Sequence, residues 1–204
     1  MALIKLNNRG VRNVSTFGSV SGGSFTFIKK LTASSSATLS FLDGSASVVF
    51  DDTYKEYIFT FNNIHPATSD AYLTFQADTG TNTSYNQTVT SSFFFAQQGE
   101  SNDPTLAYAT TRDLAQSTNF IPINIGQNND NDGSASGYIH LFNPSSSTFV
   151  KHFICRSVEM MSDPGVYNSH AAGYFNTTTA LTRVQFKMSS GNMDAGDICL
   201  YGIK

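Results

Sequence analysis

The sequence has few charged residues, few prolines and cysteines, and no tryptophan. Charged residues make up 13% of its 204 residues, and Ser, Thr, Asn and Gly take the place of the missing charge. The scarcity of Glu and Lys removes good surface helix formers and argues against a helical fold. No apolar run reaches the roughly 18 residues that a spanning helix needs, and no secretory signal is recognisable. We therefore expect a soluble protein without membrane insertion.

Aromatic residues, in contrast, are abundant, with 17 Phe and 9 Tyr. Aromatic and β-branched residues favour strands, and here they form short runs between clusters of Gly, Asn, Asp and Ser. This pattern predicts an all-β domain over residues 24–204, an antiparallel β-sandwich of jelly-roll type, after an extended N-terminal arm over residues 1–23. The predicted strands are 24–33, 37–42, 46–50, 55–62, 70–77, 88–97, 119–125, 137–143, 148–160, 181–189 and 196–203.

The charges separate the arm from the body. Every charge up to Leu42 is positive, whereas seven basic residues and all fifteen acidic residues follow it. Lys5, Arg9 and Arg12 are therefore candidates for docking on an acidic neighbour, although an N-terminus without a function is the alternative. The net charge of −3 does not favour a nucleic-acid partner.

Side-chain alternation predicts which residues face the core. In strand 55–62 the rings of Tyr57, Phe59 and Phe61 fall on one face. Residues 93–95 and 149–160 are instead apolar on both faces, so something must pack on their outside. The arm, a long loop or another subunit could cover this surface, and we expect another subunit of a homo-oligomer. Long polar loops are predicted over 63–70, 98–118, 126–136 and 161–180, with one helical turn at 113–116.

The sequence contains no recognisable catalytic constellation. A nucleophilic hydrolase needs a Ser or Cys with a His and an acid, and no Gly-x-Ser-x-Gly motif occurs. His140 and His152 lie in predicted strands among apolar residues, where a structural role is expected. Cys155 and Cys199 lie in apolar runs and are interpreted as buried free thiols, with a disulfide as the alternative. We predict a protein that is not an enzyme, with no catalytic residues and no cofactor.

One segment is similar to a calcium-binding loop. Asn128, Asp130 and Asp132 place oxygen atoms at alternate positions before Gly133, as in the opening of such a loop. The closing position holds Ile139 instead of Glu, so a polar turn is the expected interpretation. A metal site, and with it a metal-dependent hydrolase, is the remaining alternative.

Three tyrosines in predicted loops suggest a different function. Tyr108, Tyr167 and Tyr174 could stack on the sugars of a host-surface glycan, because an aromatic ring offers an apolar face next to a polar tip. The chain would then be a carbohydrate-binding or receptor-binding module. Ordinary packing at the rim of a loop is the competing interpretation.

Both ends of the chain resemble known virion proteins. Residues 1–11, Met-Ala-Leu-Ile-Lys-Leu-Asn-Asn-Arg-Gly-Val, resemble the leader of many virion structural and tail-fibre-like proteins of marine tailed bacteriophages, including those of cyanobacteria. Residues 186–204 resemble the final hairpin of the β-sandwich domains that end such proteins. In that hairpin a Gly-Asp turn leads into a last strand that finishes in Leu-Tyr-Gly.

The resemblance implies a non-enzymatic virion structural protein that is assembled in the host cytoplasm. Its leader would bind other virion proteins while its sandwich faces outward, as an oligomer for which a trimer is favoured. Because the chain has no repetitive shaft, we expect a short tail fibre or a head or tail surface decoration. Attachment to a host glycan is compatible with this role.

Overall fold

The structure, a computed structural model, describes residues 25–161 and 163–204. These residues form thirteen strands and no helix. The strands are β1 Phe25–Thr32, β2 Leu39–Leu42, β3 Glu56–Pro66, β4 Leu73–Thr79, β5 Val89–Gly99, β6 Thr105–Tyr108, β7 Leu114–Ser117, β8 Ile121–Pro122, β9 Ala135–Phe142, β10 Lys151–Met160, β11 Gly165–Phe175, β12 Leu181–Met188 and β13 Met193–Ile203.

The strands form two antiparallel sheets that pack face to face. The large sheet has nine strands in the order β1-β13-β3-β9-β10-β11-β5-β6, and β7 also pairs with β5. The small sheet has four strands in the order β2-β12-β4-β8. The prediction of an all-β sandwich is therefore confirmed. The proposed arm, with Lys5, Arg9 and Arg12, lies outside the described residues.

The core between the sheets consists largely of aromatic rings. Tyr57, Phe59 and Phe61 of β3 are buried, as the alternation in that strand predicted. Phe75 of the small sheet meets Phe153 of the large sheet edge to face, with the ring centroids 5.2 Å apart. Each buried ring of this kind stabilises the fold by roughly 2–3 kcal/mol, so the core is closed without help from a disulfide. Both cysteines are free.

The largest error of the sequence prediction concerns β11, which occupies most of a segment predicted as a loop. All eleven residues of β11 pair with β5, and ten of them also pair with β10. Its central inward positions hold the small residues Ser169, Ala171 and Gly173, so no run of large apolar residues marks the strand. A Cβ at Gly173 would overlap the carbonyl oxygen of Thr90. The small residues of β11 are therefore required by the close approach of the neighbouring strand, and not by a hydrophobic pattern.

Two other local predictions are wrong. Residues 46–50 form a turn instead of a strand, because Ala46 and Ser47 have φ values of 49° and 74°. Asp43 closes this turn by accepting the backbone N–H of Phe50 at 2.9 Å. Residues 113–116, predicted as a helical turn, lie mostly in the short strand β7, which pairs with β5.

Candidate functional site: the outer face of the large sheet and a groove on the small sheet

The side of the large sheet that faces away from the core is open and rich in apolar residues. In β10 the buried residues Phe153 and Cys155 alternate with the exposed residues Ile154 and Val158, which are 49% and 46% exposed. The same alternation continues across neighbouring strands. We call this surface the outer face, and its exposed large apolar side chains are Phe25, Phe27, Phe94, Leu106, Tyr108, Tyr138, Ile154, Val158 and Val166.

Strand register makes the outer face continuous across the sheet. Arg156 of β10 lies between Tyr138 of β9 and His170 of β11. The ring of His170 stacks on Phe94 of β5, with centroids 4.8 Å apart and planes 2° apart. Phe94 in turn pairs with Tyr108 of β6, which is 54% exposed. One row of largely aromatic side chains therefore crosses five strands.

Most charged groups on the outer face are already paired within the chain. His140 Nε2 lies 2.8 Å from Glu56 Oε2, and Lys30 Nζ lies 3.0 Å from Asp197 Oδ2. Hydrogen bonds from Thr32 and Lys30 lower the pKa of Asp197. Because each of these groups already has a partner within the chain, the desolvation penalty for covering them with another protein is smaller than for isolated charges.

Arg156 is the exception on this surface. Its Nε donates to Asn168 Oδ1 at 3.2 Å, and no ion pair within residues 25–161 and 163–204 involves it. Burial, followed by the positive charge of Arg156, lowers the pKa of the neighbouring His170. The centre of the outer face therefore carries one cation that a carboxylate from a partner would neutralise.

The inner side of β10 holds a carboxyl group in an otherwise closed region. Glu159 is 1% exposed and accepts hydrogen bonds from the hydroxyls of Ser157 and Ser169 and from the backbone N–H of Ile125. Burial raises its pKa to about 7, although the three hydrogen bonds act in the opposite direction. No sequence pattern marked this residue, because its partners come from three separate segments.

Lys151, at the start of β10, is also buried. Its Nζ donates to the carbonyl oxygens of Phe149 and Thr177, each at 3.1 Å, and burial lowers its pKa. The sequence prediction had placed Phe149 in the strand 148–160. Phe149 instead precedes β10 and is 68% exposed, so that placement is wrong.

The structure does not bring the three candidate sugar-binding tyrosines together. Tyr108 lies on the outer face, where its hydroxyl donates to Asp113 at 2.9 Å. Tyr174 lies in β11 beside His152, with their ring centroids 6.2 Å apart. Tyr167 points to the opposite side of β11, where its ring meets Phe95. They do not form one site.

The calcium-like segment forms a turn that uses its own side chains. Asn128 Oδ1 accepts the backbone N–H of Asp130 at 2.6 Å, and Asn128 Nδ2 donates to Asp130 Oδ2 at 3.0 Å. Asp132 lies apart from this pair, in a shallow groove with His65 and Asp194. Within the described part of the chain, no group of three His, Cys, Asp or Glu residues could hold a metal ion.

A groove of about 410 Å³ lies on the side of the small sheet that faces away from the core. It is lined by Tyr72, which directly precedes β4, and by Lys187 of the neighbouring strand β12. Phe120, which directly precedes β8, also lines it. The sequence analysis missed this groove. Tyr72 and Lys187 are more than a hundred positions apart and are brought together by strand pairing, so no local motif could have indicated the groove.

Comparison of the chain with protein-family models, with curated proteins and with solved structures found no match. In residues 25–161 and 163–204 no helix is long and apolar enough to cross a membrane.

Proposed function

We propose that this chain is a non-enzymatic structural protein of a phage virion, either a short tail fibre or a head or tail surface decoration. It assembles into an oligomer through the outer face and displays the remaining surface of the sandwich on the particle. The observation that carries this proposal is the outer face itself. Nine of the ten exposed large apolar side chains in the described residues lie on the strands of the large sheet.

The size of the outer face is adequate for a stable interface. Eight adjacent strands at a spacing of about 4.8 Å span about 34 Å, and strands of about eight residues are roughly 25 Å long. The resulting area of about 800 Å² matches what one partner contributes to a stable protein–protein interface. Nine exposed large apolar side chains lie on this face, and contiguous exposed apolar patches mark surfaces that another molecule covers.

A second copy of this chain is the partner that the charges favour. Arg156 needs a carboxylate, and the chain from Asp43 onward contains fifteen acidic and seven basic residues. Another copy can therefore supply the carboxylate that would neutralise Arg156. Association of identical chains also closes readily into a symmetric ring, and the proposed state is a trimer.

The order of the strands supports the finer proposal of a jelly roll. The large sheet begins with the order β1-β13-β3-β9, and the small sheet has the order β2-β12-β4-β8. Successive strands β1, β2, β3 and β4 alternate between the sheets, and β12 and β13 do the same. Eight strands in two such sheets, wound as two Greek keys, define the jelly roll. The strands β5, β6, β7, β10 and β11 then extend the large sheet and enlarge the outer face.

The role of residues 1–23 rests on the resemblance of the leader and on its positive charges. Lys5, Arg9 and Arg12 are proposed to attach the oligomer to other proteins of the virion. The test is incorporation into particles, measured by mass spectrometry of purified virions with the full chain and with a chain lacking residues 1–23. We expect both chains to form the same oligomer and only the full chain to enter particles. Equal incorporation of the two chains would show that the arm does not dock.

Binding of a host glycan is the second candidate function, and it is compatible with the first. The groove on the small sheet favours it, because this groove lies on the opposite side of the sandwich from the outer face. A ligand could therefore reach the groove in an oligomer that buries the outer face.

A further inference from the structure

We propose that the groove on the small sheet binds an acidic saccharide, a sugar unit that carries a carboxylate or a sulfate. This inference rests on the proposed display of the sandwich at the particle surface and names the ligand class that the displayed side takes. It moves the binding site away from Tyr108, Tyr167 and Tyr174 to residues that no sequence motif connects.

The shape of the groove suits one or two sugar rings. Its volume of about 410 Å³ falls within the range of small-ligand sites. The loop that contains Asn86 and the segment that contains Asn119 and Phe120 both line it. Because the groove lies over the face of the sheet, side chains and not open strand edges meet the ligand. This arrangement disfavours a peptide that binds by adding a strand.

The lining of the groove combines aromatic rings with neutral polar groups. Tyr72 and Phe120 are half-buried, so part of each ring stays accessible, and Tyr85 lies next to Phe120 with their ring centroids 6.5 Å apart. The amides of Asn86 and Asn119 are exposed at the rim. A sugar ring offers the complementary surface, with C–H groups for the aromatic rings and hydroxyls for the amides.

The charge of the groove selects the acidic members of this class. Lys187 is the single charged residue among those that line it, in a body with an excess of acidic residues. Its Nζ lies 4.0 Å from the centroid of the Phe120 ring, and no ion pair in the described ranges involves it. A cation over an aromatic ring is thus placed where an anionic substituent would lie beside a stacked sugar.

Arg112 fixes the position of Tyr72, one of the two aromatic rings that would contact a sugar. Its guanidinium carbon lies 4.1 Å from the centroid of the Tyr72 ring, and its Nε and Nη2 donate to the carbonyl oxygen of Ile125. Arg112 therefore holds the Tyr72 ring in place against the segment at Ile125 before a ligand binds. A preformed ring costs less conformational entropy on binding than a mobile one.

The test uses the full-length chain and a printed panel of uronate-containing, sulfated and neutral oligosaccharides. We expect binding to at least one acidic oligosaccharide and at least tenfold weaker binding to its neutral counterpart. Lys187→Gln removes the charge while keeping most of the side chain, and it should weaken the acidic interaction at least tenfold. Phe120→Ala should abolish it.

Phe149→Ala serves as the matched control, because it removes an exposed ring that belongs neither to the groove nor to the outer face. It should leave saccharide binding unchanged, and thermal unfolding of each variant verifies that the chain is folded. An intact oligomer that binds no acidic oligosaccharide overturns the groove proposal and leaves the assembly proposal standing. Binding that survives both Lys187→Gln and Phe120→Ala, or that Phe149→Ala removes, also overturns it.

Discussion

The outward sides of the two sheets differ in polarity and in solvent exposure. On the small sheet, Thr74, Gln76 and Asp78 of β4 face away from the core, yet all three are buried. On the large sheet, Ile154 and Val158 face away from the core and are about half exposed. The polar side is therefore covered and the apolar side is open, which is the reverse of what water alone would favour.

Loops of the same chain cover the small sheet. Gln76 Nε2 donates to the carbonyl oxygens of Gln87 and Asn119, and Asp78 accepts hydrogen bonds from Tyr85 N and Gln87 Nε2. These bonds explain why Gln76 is buried although it lies on the side of β4 that faces away from the core. The chain thus satisfies one outward side by itself, and we propose that a partner completes the other.

The largest expected effect comes from placing charge on the open side. Ile154→Asp together with Val158→Asp should weaken self-association at least 100-fold, since each side chain contributes roughly 1.5–3 kcal/mol when it is buried. Leu42→Asp, at a half-buried apolar position on the outward side of the small sheet, is the control and should leave association unchanged. Light scattering over a dilution series measures both, and an equal loss in the control would remove the distinction between the two sides.

A second prediction concerns Glu159, which lies next to Val158 but on the inner side of β10. The unfolded carboxyl titrates near pH 4.5, whereas the folded one, with its pKa raised to about 7, keeps its proton longer. The stability it confers is therefore full below about pH 4.5 and is lost as the pH rises through 7. The loss amounts to about 3 kcal/mol.

Urea unfolding at a series of pH values between 4 and 8 measures this dependence. Glu159→Gln should remove most of the decline, because an amide cannot ionise in the buried site. Titrating histidines affect both chains alike, so the difference between the two curves isolates Glu159. Parallel curves for the two chains would contradict the assignment.

Gly173→Ala tests the close packing under the open side. The new methyl group would overlap Thr90 O and approach the ring of Phe153, so we expect a loss of about 1–3 kcal/mol in the free energy of unfolding. Ala172→Ser, one residue away on the exposed side of the same strand, should change stability by less than about 0.5 kcal/mol. Chemical denaturation compares the two, and equal effects would indicate that β11 is not packed as described.

The smallest effect expected is a difference in thiol reactivity. Cys155 points inward, and burial raises its pKa well above the ordinary value, whereas Cys199 is half-buried on the outward side. A maleimide should label Cys199 in the dissociated chain, react with it more slowly in the oligomer, and leave Cys155 unmodified in both. Labelling of Cys155 before Cys199 would contradict this orientation of the sheet.

The features that could be predicted from the sequence are those that a pattern within a single segment indicates. The alternating rings of Tyr57, Phe59 and Phe61 identified both a strand and its buried side. The two-sided apolar run around Ile154 and Val158 also indicated a surface in need of cover. A period of two residues needs no knowledge of distant contacts, so one segment is enough to recognise it.

The features that it missed depend on contacts between distant segments. β11 has small inward residues because β5 and β10 approach it closely, and no apolar pattern records that approach. The groove brings Tyr72 together with Lys187 through the pairing of β4 with β12. The burial of Glu159 likewise depends on the segment at Ile125. Such sites become visible only when the strand order is known.

Sedimentation equilibrium of the full-length chain tests the central claim most directly, namely that another copy covers the outer face. At micromolar concentration the account predicts a defined oligomer, with a trimer as the proposed state, that dissociates on dilution. A chain that keeps the mass of a single copy at about 100 µM, while it is folded by circular dichroism, would contradict the account.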